Sequence, residues 1–164
     1  MSVELIEAAA DRERAVIRHL YPLYLHDLSA FTDLYTVDEE GRFFPDYLSD
    51  WLETRSAPVH PLVIRADGRP AGFALVAEAP YPHMTRGRDY RMSEMFILRA
   101  HRRRGVGRAA ALACFQRFRG VWEVSQLPAN EGAIAFWRSV IGEHTGGRFR
   151  EETIDGGPGQ VFRS

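Results

Sequence analysis

The chain has 164 residues, 45% of them hydrophobic and 26% charged, with a formal net charge of −1. That length suits one domain, large enough to bury a core without help from a metal or a disulfide. The single cysteine, Cys114, excludes an intrachain disulfide, and no apolar run approaches the roughly 18 residues of a membrane helix.

The opening MSVELIEAAADRERA places charges where a signal peptide needs an apolar core, so the cytoplasm is the expected compartment. Val3 to Ala8 reads as a short strand. Asp11 is a suitable N-cap for a helix carrying Val16, Leu20 and Leu23, which Pro22 should kink or split. Thr32 to Phe44 reads as a polar loop, and Pro45 should stand in the first turn of a second helix with Tyr47, Leu48, Trp51 and Leu52. Strands follow at His60–Arg65 and Pro70–Ala77, joined by the hairpin signal Asp67-Gly68. Pro80–Gly87 is a loop, Asp89–Leu98 a long strand and Arg99–Gly107 a basic loop. A helix from Arg108 to Phe118, a strand from Val121 to Leu127 and a helix from Glu131 to Ile141 capped by Asn130 come next. Gly147–Ile154 and Gln160–Phe162 form a last hairpin across residues 155–158. The order predicts a single mixed α/β domain, a sheet flanked by helices. Cys114 and the stripe Phe115, Phe118, Trp122 read as core.

All 21 basic residues are arginine, unevenly spread. Residues 1–55 hold 12 acids and 5 arginines, whereas residues 56–164 hold 10 acids and 16 arginines. The basic part suits a polyanion and the acidic part a cation; unspecific surface charge accounts for the split equally well. The histidines show no metal-ligand spacing, so no metal is expected.

The segment EMFILRAHRRRGVG, Glu94 to Gly107, carries the chemistry. An apolar strand enters a glycine loop that opens a helix. Such a helix start offers unpaired N–H groups and partial positive charge, which together bind phosphate. Gly105 and Gly107 permit close approach, and Arg102, Arg103, Arg104 and Arg108 supply further charge. The segment lacks both the Walker ending and the third glycine of the dinucleotide fingerprint.

Arg102 to Gly107 resembles the Gln/Arg-x-x-Gly-x-Gly/Ala loop of the GNAT superfamily of N-acetyltransferases. VWEVSQLPANEGAIAFW resembles its second motif, with Asn130, Ala133, Phe136 and Trp137 in the matching positions. The likeness extends to a bacterial branch with Phe-Trp in place of the usual Phe-Tyr pair. It implies a mostly antiparallel sheet of about seven strands with about four helices, and central strands that splay apart. It implies acetyl-CoA as co-substrate, held within residues 89–141. The peptide groups of Phe96, Ile97 and Leu98 would face pantetheine, and the backbone from Arg103 to Arg108, Val106 included, would hold the pyrophosphate. A bulge in the central strand would free an N–H for the thioester carbonyl. Residues 1–55 would wall the acceptor, a small cationic amine, with Tyr24, Tyr35 and Tyr47 among the binding groups. Many relatives are dimers, and the C-terminal strands would be the contact.

An amine of pKa about 10.4 must shed a proton before attack. Glu94 is the first candidate base, set against a structural carboxylate paired with arginine. Asp27 and His26 are further candidates, set against a plain polar helix face. The resemblance implies a thiolate-protonating tyrosine where Trp137 stands, and indole has no useful acidity. Tyr24, Tyr35 or water could replace it. Two other functions fit the sequence: acyl-CoA binding without catalysis, and nucleic-acid binding through Arg99 to Arg108. The acidic N-terminal part and the lack of an RNA-type aromatic motif weigh against nucleic acid.

Overall fold

Burial that alternates along some segments and runs unbroken along others sets the layers. A computed structural model describes residues 1–53 and 58–164; Thr54 and Arg55, at the end of the expected acceptor-side segment, lie outside the described residues. In chain order the elements are β1 (Val3–Glu7), α1 (Asp11–Leu28), β2 (Thr36–Val37), β3 (Phe43–Phe44) and α2 (Leu48–Leu52). Then come β4 (Val59–Ala66), β5 (Arg69–Glu78), β6 (Tyr90–Ile97) and a 3-10 turn at Arg99–His101. The chain ends with α3 (Val106–Arg117), β7 (Val121–Ser125), α4 (Glu131–Thr145), β8 (Phe149–Ile154) and β9 (Gly157–Arg163).

Seven strands form one sheet in the order β1-β4-β5-β6-β7-β9-β8, and β2 pairs with β3 separately. Only β6 and β7 run parallel, and they pair over Tyr90–Met92 and Trp122–Val124 alone. Beyond Met92 and Val124 they part, as the splayed-strand expectation requires. Leu62, Ile64, Ala74, Val76, Trp122 and Phe162 face α3 and α4. Val63, Phe73, Leu75 and Phe96 face α1 and α2. A strand covered on both faces needs an unbroken apolar run, which β5 has from Ala71 to Ala77. Asp67-Gly68 and Asp155-Gly156 both have positive φ at each residue, the pairing that a two-residue hairpin turn requires.

The stretch Thr32 to Phe44, read as a loop, holds the short β2–β3 ribbon, with Thr36 opposite Phe44 and Val37 opposite Phe43, and several element boundaries also differ from the sequence reading. The N-cap of α1 is Ala10, and Asp11 enters the first turn as a charge on the dipole. Pro22 lies inside an uninterrupted α1, on its exposed side, where water can reach the Arg18 carbonyl that proline leaves without a helix donor. Helix α2 starts at Leu48, whose N–H donates to the Asp46 carboxylate at 2.8 Å, so Pro45 stays outside. Helix α3 starts at Val106 rather than Arg108, because Gly105 takes φ +81° and ends the loop there. The final hairpin turns at residues 155–156, which leaves Pro158 inside β9 opposite Thr153.

Asn130 caps α4 as expected, its Oδ1 accepting from the Ala133 N–H at 3.0 Å. Asn130→Ala is therefore expected to lower stability by about 1 kcal/mol. Urea denaturation should show a reduced midpoint at an unchanged slope.

Candidate active site

Beyond the last β6–β7 pair, the far part of β6 and the head of α3 line one cavity. Gly105 caps that helix without a side-chain hydrogen bond, so the first amides of α3 keep their donors open. Gly107 lies at the seam of three elements: a Cβ there would stand 3.4 Å from Ile97 Cγ1 and 3.6 Å from the Phe136 ring. The result is a cavity of about 780 Å³. Its walls come from α1 (Tyr24, Asp27, Leu28), β6 (Met95, Phe96, Ile97), the arginine loop (Arg102, Arg103, Gly105), the α3 head (Gly107, Arg108) and α4 (Asn130, Phe136, Trp137). Phe31, just past α1, completes the α1 side.

Most of the expected cofactor residues thus meet. Leu98, Arg104 and Val106 do not line the cavity, and Val106 is buried in the core. The arginines also divide by partner. Arg102 donates from Nε to the Ile97 carbonyl at 2.7 Å, pairs with Asp27 and lies 5.5 Å from the Phe96 ring centre. Arg108 is matched by Glu143, with Nε to Oε2 at 2.7 Å. Arg103 and Arg104 have no carboxylate partner among the described residues.

Asp27 is held by Arg102 and by Arg99, the latter at 2.8 Å. Burial opposes its charge, but those hydrogen bonds and guanidinium charges outweigh burial and hold the carboxyl below its ordinary value. A carboxylate so engaged is a poor base.

Glu94 has a different setting. Leu75 pairs with Glu94 and Val76 with Met92, so Ser93 is an extra residue in β6. This bulge reverses the alternation of faces, and Glu94 turns toward α1 beside Phe73 and Phe96 instead of toward α3. The Tyr24 hydroxyl donates to its carboxylate. Tyr24 is wedged edge-on against Phe73 at 5.6 Å and lies 5.9 Å from Phe96. Burial pushes the Glu94 carboxyl up to about 7, against the smaller opposing effects of the Tyr24 hydrogen bond and the Arg91 charge. Burial and then the charge of Glu94 raise Tyr24 well above the ordinary phenol and Tyr35 to about 12. Tyr21 and Tyr81 feel the same carboxylate. Tyr35 and Tyr47 lie outside the large cavity, and Tyr47 is exposed. Trp137 packs against Phe136 with ring centres 5.0 Å apart.

Sequence reasoning missed Leu28 and Phe31 as wall residues, although Tyr24 and Leu28 share one face of α1 at i, i+4 and Phe31 follows in the turn after it. It also missed Arg99 as a partner of Asp27, which only the fold brings together. Among the described residues no cluster of three or more His, Cys, Asp or Glu side chains is placed to hold a metal.

A model of the acetyltransferase (GNAT) family matches residues 20–142. No curated protein matches the chain. A GNAT-family acetyltransferase from Streptococcus agalactiae has a similar structure, with TM-score 0.67, 14% identity and coverage of 99% of this chain and 95% of that one. An acetyltransferase from Thermus thermophilus follows at TM-score 0.62 and 17% identity, covering 100% and 98%. PaiA N-acetyltransferase from Thermoplasma acidophilum, in complex with coenzyme A, has TM-score 0.56 and 12% identity and covers 100% of both chains. At these identities the structural likeness speaks for the fold. The family match runs from the middle of α1 through the arginine loop and most of α4, and so spans the whole cavity. The chain belongs to the acetyltransferase (GNAT) family.

Proposed function

We propose that this protein transfers an acetyl group from acetyl-CoA to the primary amine of a small cationic acceptor, by direct attack of the amine on the thioester. The observation that carries this reading is one cavity joining an open helix head to a tyrosine bonded to a half-buried carboxylate. The α3 amides and Arg103 suit a diphosphate. The gap between β6 and β7 suits an extended pantetheine arm paired to strand backbone. A neighbour that binds coenzyme A on the same fold supports the choice of donor.

Glu94 is the base. A carboxyl near 7 is partly ionised at neutral pH and is well matched to taking a proton from an ammonium or attacking amine. Asp27 instead anchors Arg99 and Arg102. On the Glu94 side stand Tyr21, Tyr24, Tyr35 and Tyr81, with Asp46 acting on Tyr21 and Asp50 on Tyr81. Aromatic faces and carboxylates together favour a cation. Arg91 is the positive group nearby, but it is paired with Glu123 at 3.4 Å and with Asp155.

Thiol release from acetyl-CoA, read across a panel of cationic, neutral and anionic amines, tests the reading. Cationic amines are expected to be the acceptors. Acetylation of only neutral or anionic amines would reject the acceptor class. No release with any amine would reject the transferase.

A further inference from the structure

Resting on the transferase reading above, we propose that Tyr24 is a catalytic residue that protonates the leaving thiolate and is recharged by Glu94, so that the two side chains form one proton relay. Among the described residues that line the cavity, Tyr24 alone carries an O–H. The remaining polar members are three arginines, Asn130 and Asp27, the last held as a carboxylate by two of the chain's guanidiniums. Arginine and amide groups do not give up protons near neutrality, and the neighbouring Trp137 indole does not either.

Tyr24 also links the two halves of the chemistry. It belongs to the cavity wall, and its hydroxyl donates to the half-buried carboxylate of Glu94. Contacts with Phe73, Phe96 and Tyr21, with ring centres 5.6, 5.9 and 6.0 Å away, fix where the hydroxyl can point. The titratable and charged groups around the pair are Arg91 on β6, Tyr21 on α1, Tyr35 in the loop after α1 and Tyr81 before β6.

The steps balance. The neutral amine nitrogen attacks the thioester carbon; a C–N bond forms and the carbonyl pair moves to oxygen. The attacking nitrogen loses a proton to the Glu94 carboxylate. The C=O bond re-forms, the C–S bond breaks and its pair stays on sulfur. The Tyr24 hydroxyl gives its proton to that sulfur, and Glu94–H returns a proton to the phenolate. An amide and a free thiol leave, with both side chains restored. Proton uptake by Glu94 also removes the negative charge that makes Tyr24 a reluctant acid, so the first transfer prepares the second.

Tyr24→Phe keeps the ring and deletes the hydroxyl. It is expected to lower kcat by about 100-fold or more, with binding of acetyl-CoA by calorimetry within about threefold of the parent. Because the Tyr24 hydrogen bond lowers Glu94, its loss should also move the acid limb of the rate profile to higher pH. A second protein, with 3-fluorotyrosine at position 24, retains shape and fold while making the phenol more acidic; its alkaline limb should move to lower pH. If the parent turns over and Tyr24→Phe keeps its rate within about threefold, the relay is overturned and the transferase stands. An alkaline limb unmoved by fluorine overturns the relay equally, even if Tyr24→Phe does not fold. A parent that releases no thiol overturns the transferase reading and the relay with it.

Discussion

Glu94→Gln is expected to lower kcat/KM by about 10² to 10⁴ and at the same time to stabilise the folded protein at alkaline pH. Both effects come from one cause. Burial raises the carboxyl to about 7, so at neutral pH the folded protein holds a charge that its surroundings disfavour. The sign follows from linkage. A carboxyl raised on folding contributes stability that is full below its ordinary range and is lost as pH rises through about 7. A displacement of this size corresponds to at most about 3 kcal/mol, and glutamine, which never ionises, does not suffer the loss. The amide oxygen can still accept from Tyr24. In the parent, the rate should climb with pH through about 7, while stability falls over the same interval. In Glu94→Gln both trends should flatten. Thiol-release profiles and urea denaturation at about pH 5 and 8 measure the two sides. A variant that loses activity and stability together would instead mark Glu94 as a structural ion-pair carboxylate, the competing sequence reading.

What could be read from the sequence was local. The Asp-Gly turns need positive φ at consecutive residues, and the pairs Asp67-Gly68 and Asp155-Gly156 provide it wherever they are placed. Asn130 three residues before Ala133 is a complete cap by itself. The phosphate expectation for the glycine loop likewise rests on its own backbone. Its helix, however, begins two residues earlier than periodicity indicates, because the left-handed Gly105 is a fact of geometry rather than of hydropathy. What could not be read depends on pairing between distant segments. Glu94 reaches Tyr24 only because Ser93 bulges, and strand alternation alone would turn it toward α3. The four loop arginines look alike in sequence, yet Asp27 takes Arg102 and Glu143 takes Arg108. Both partners come from elements that the fold, not the chain order, brings alongside.

On the proposed reading, that division among the arginines leaves the helix head as the main anion site, and Gly105→Glu is the sharpest test of it. The substitution is expected to weaken acetyl-CoA binding by about 100-fold or more. Two effects combine. A residue with a Cβ is strained at φ +81°, which costs about 1–2 kcal/mol. A carboxylate at the head of α3 then competes for the same open amides and repels a diphosphate. Gly105→Ala separates the two. Space is not limiting, since the nearest atom to an added Cβ is the terminal methyl of Met1 at 3.6 Å. Alanine therefore carries the strain without the charge, and should bind acetyl-CoA within about tenfold of the parent while losing similar thermal stability to the glutamate variant. Calorimetry of both proteins measures the difference. Two variants that bind equally well would mean that the cofactor's charge lies elsewhere. The cation at Arg103, which lines the cavity without a carboxylate partner among the described residues, would then have to hold it without the helix-head amides.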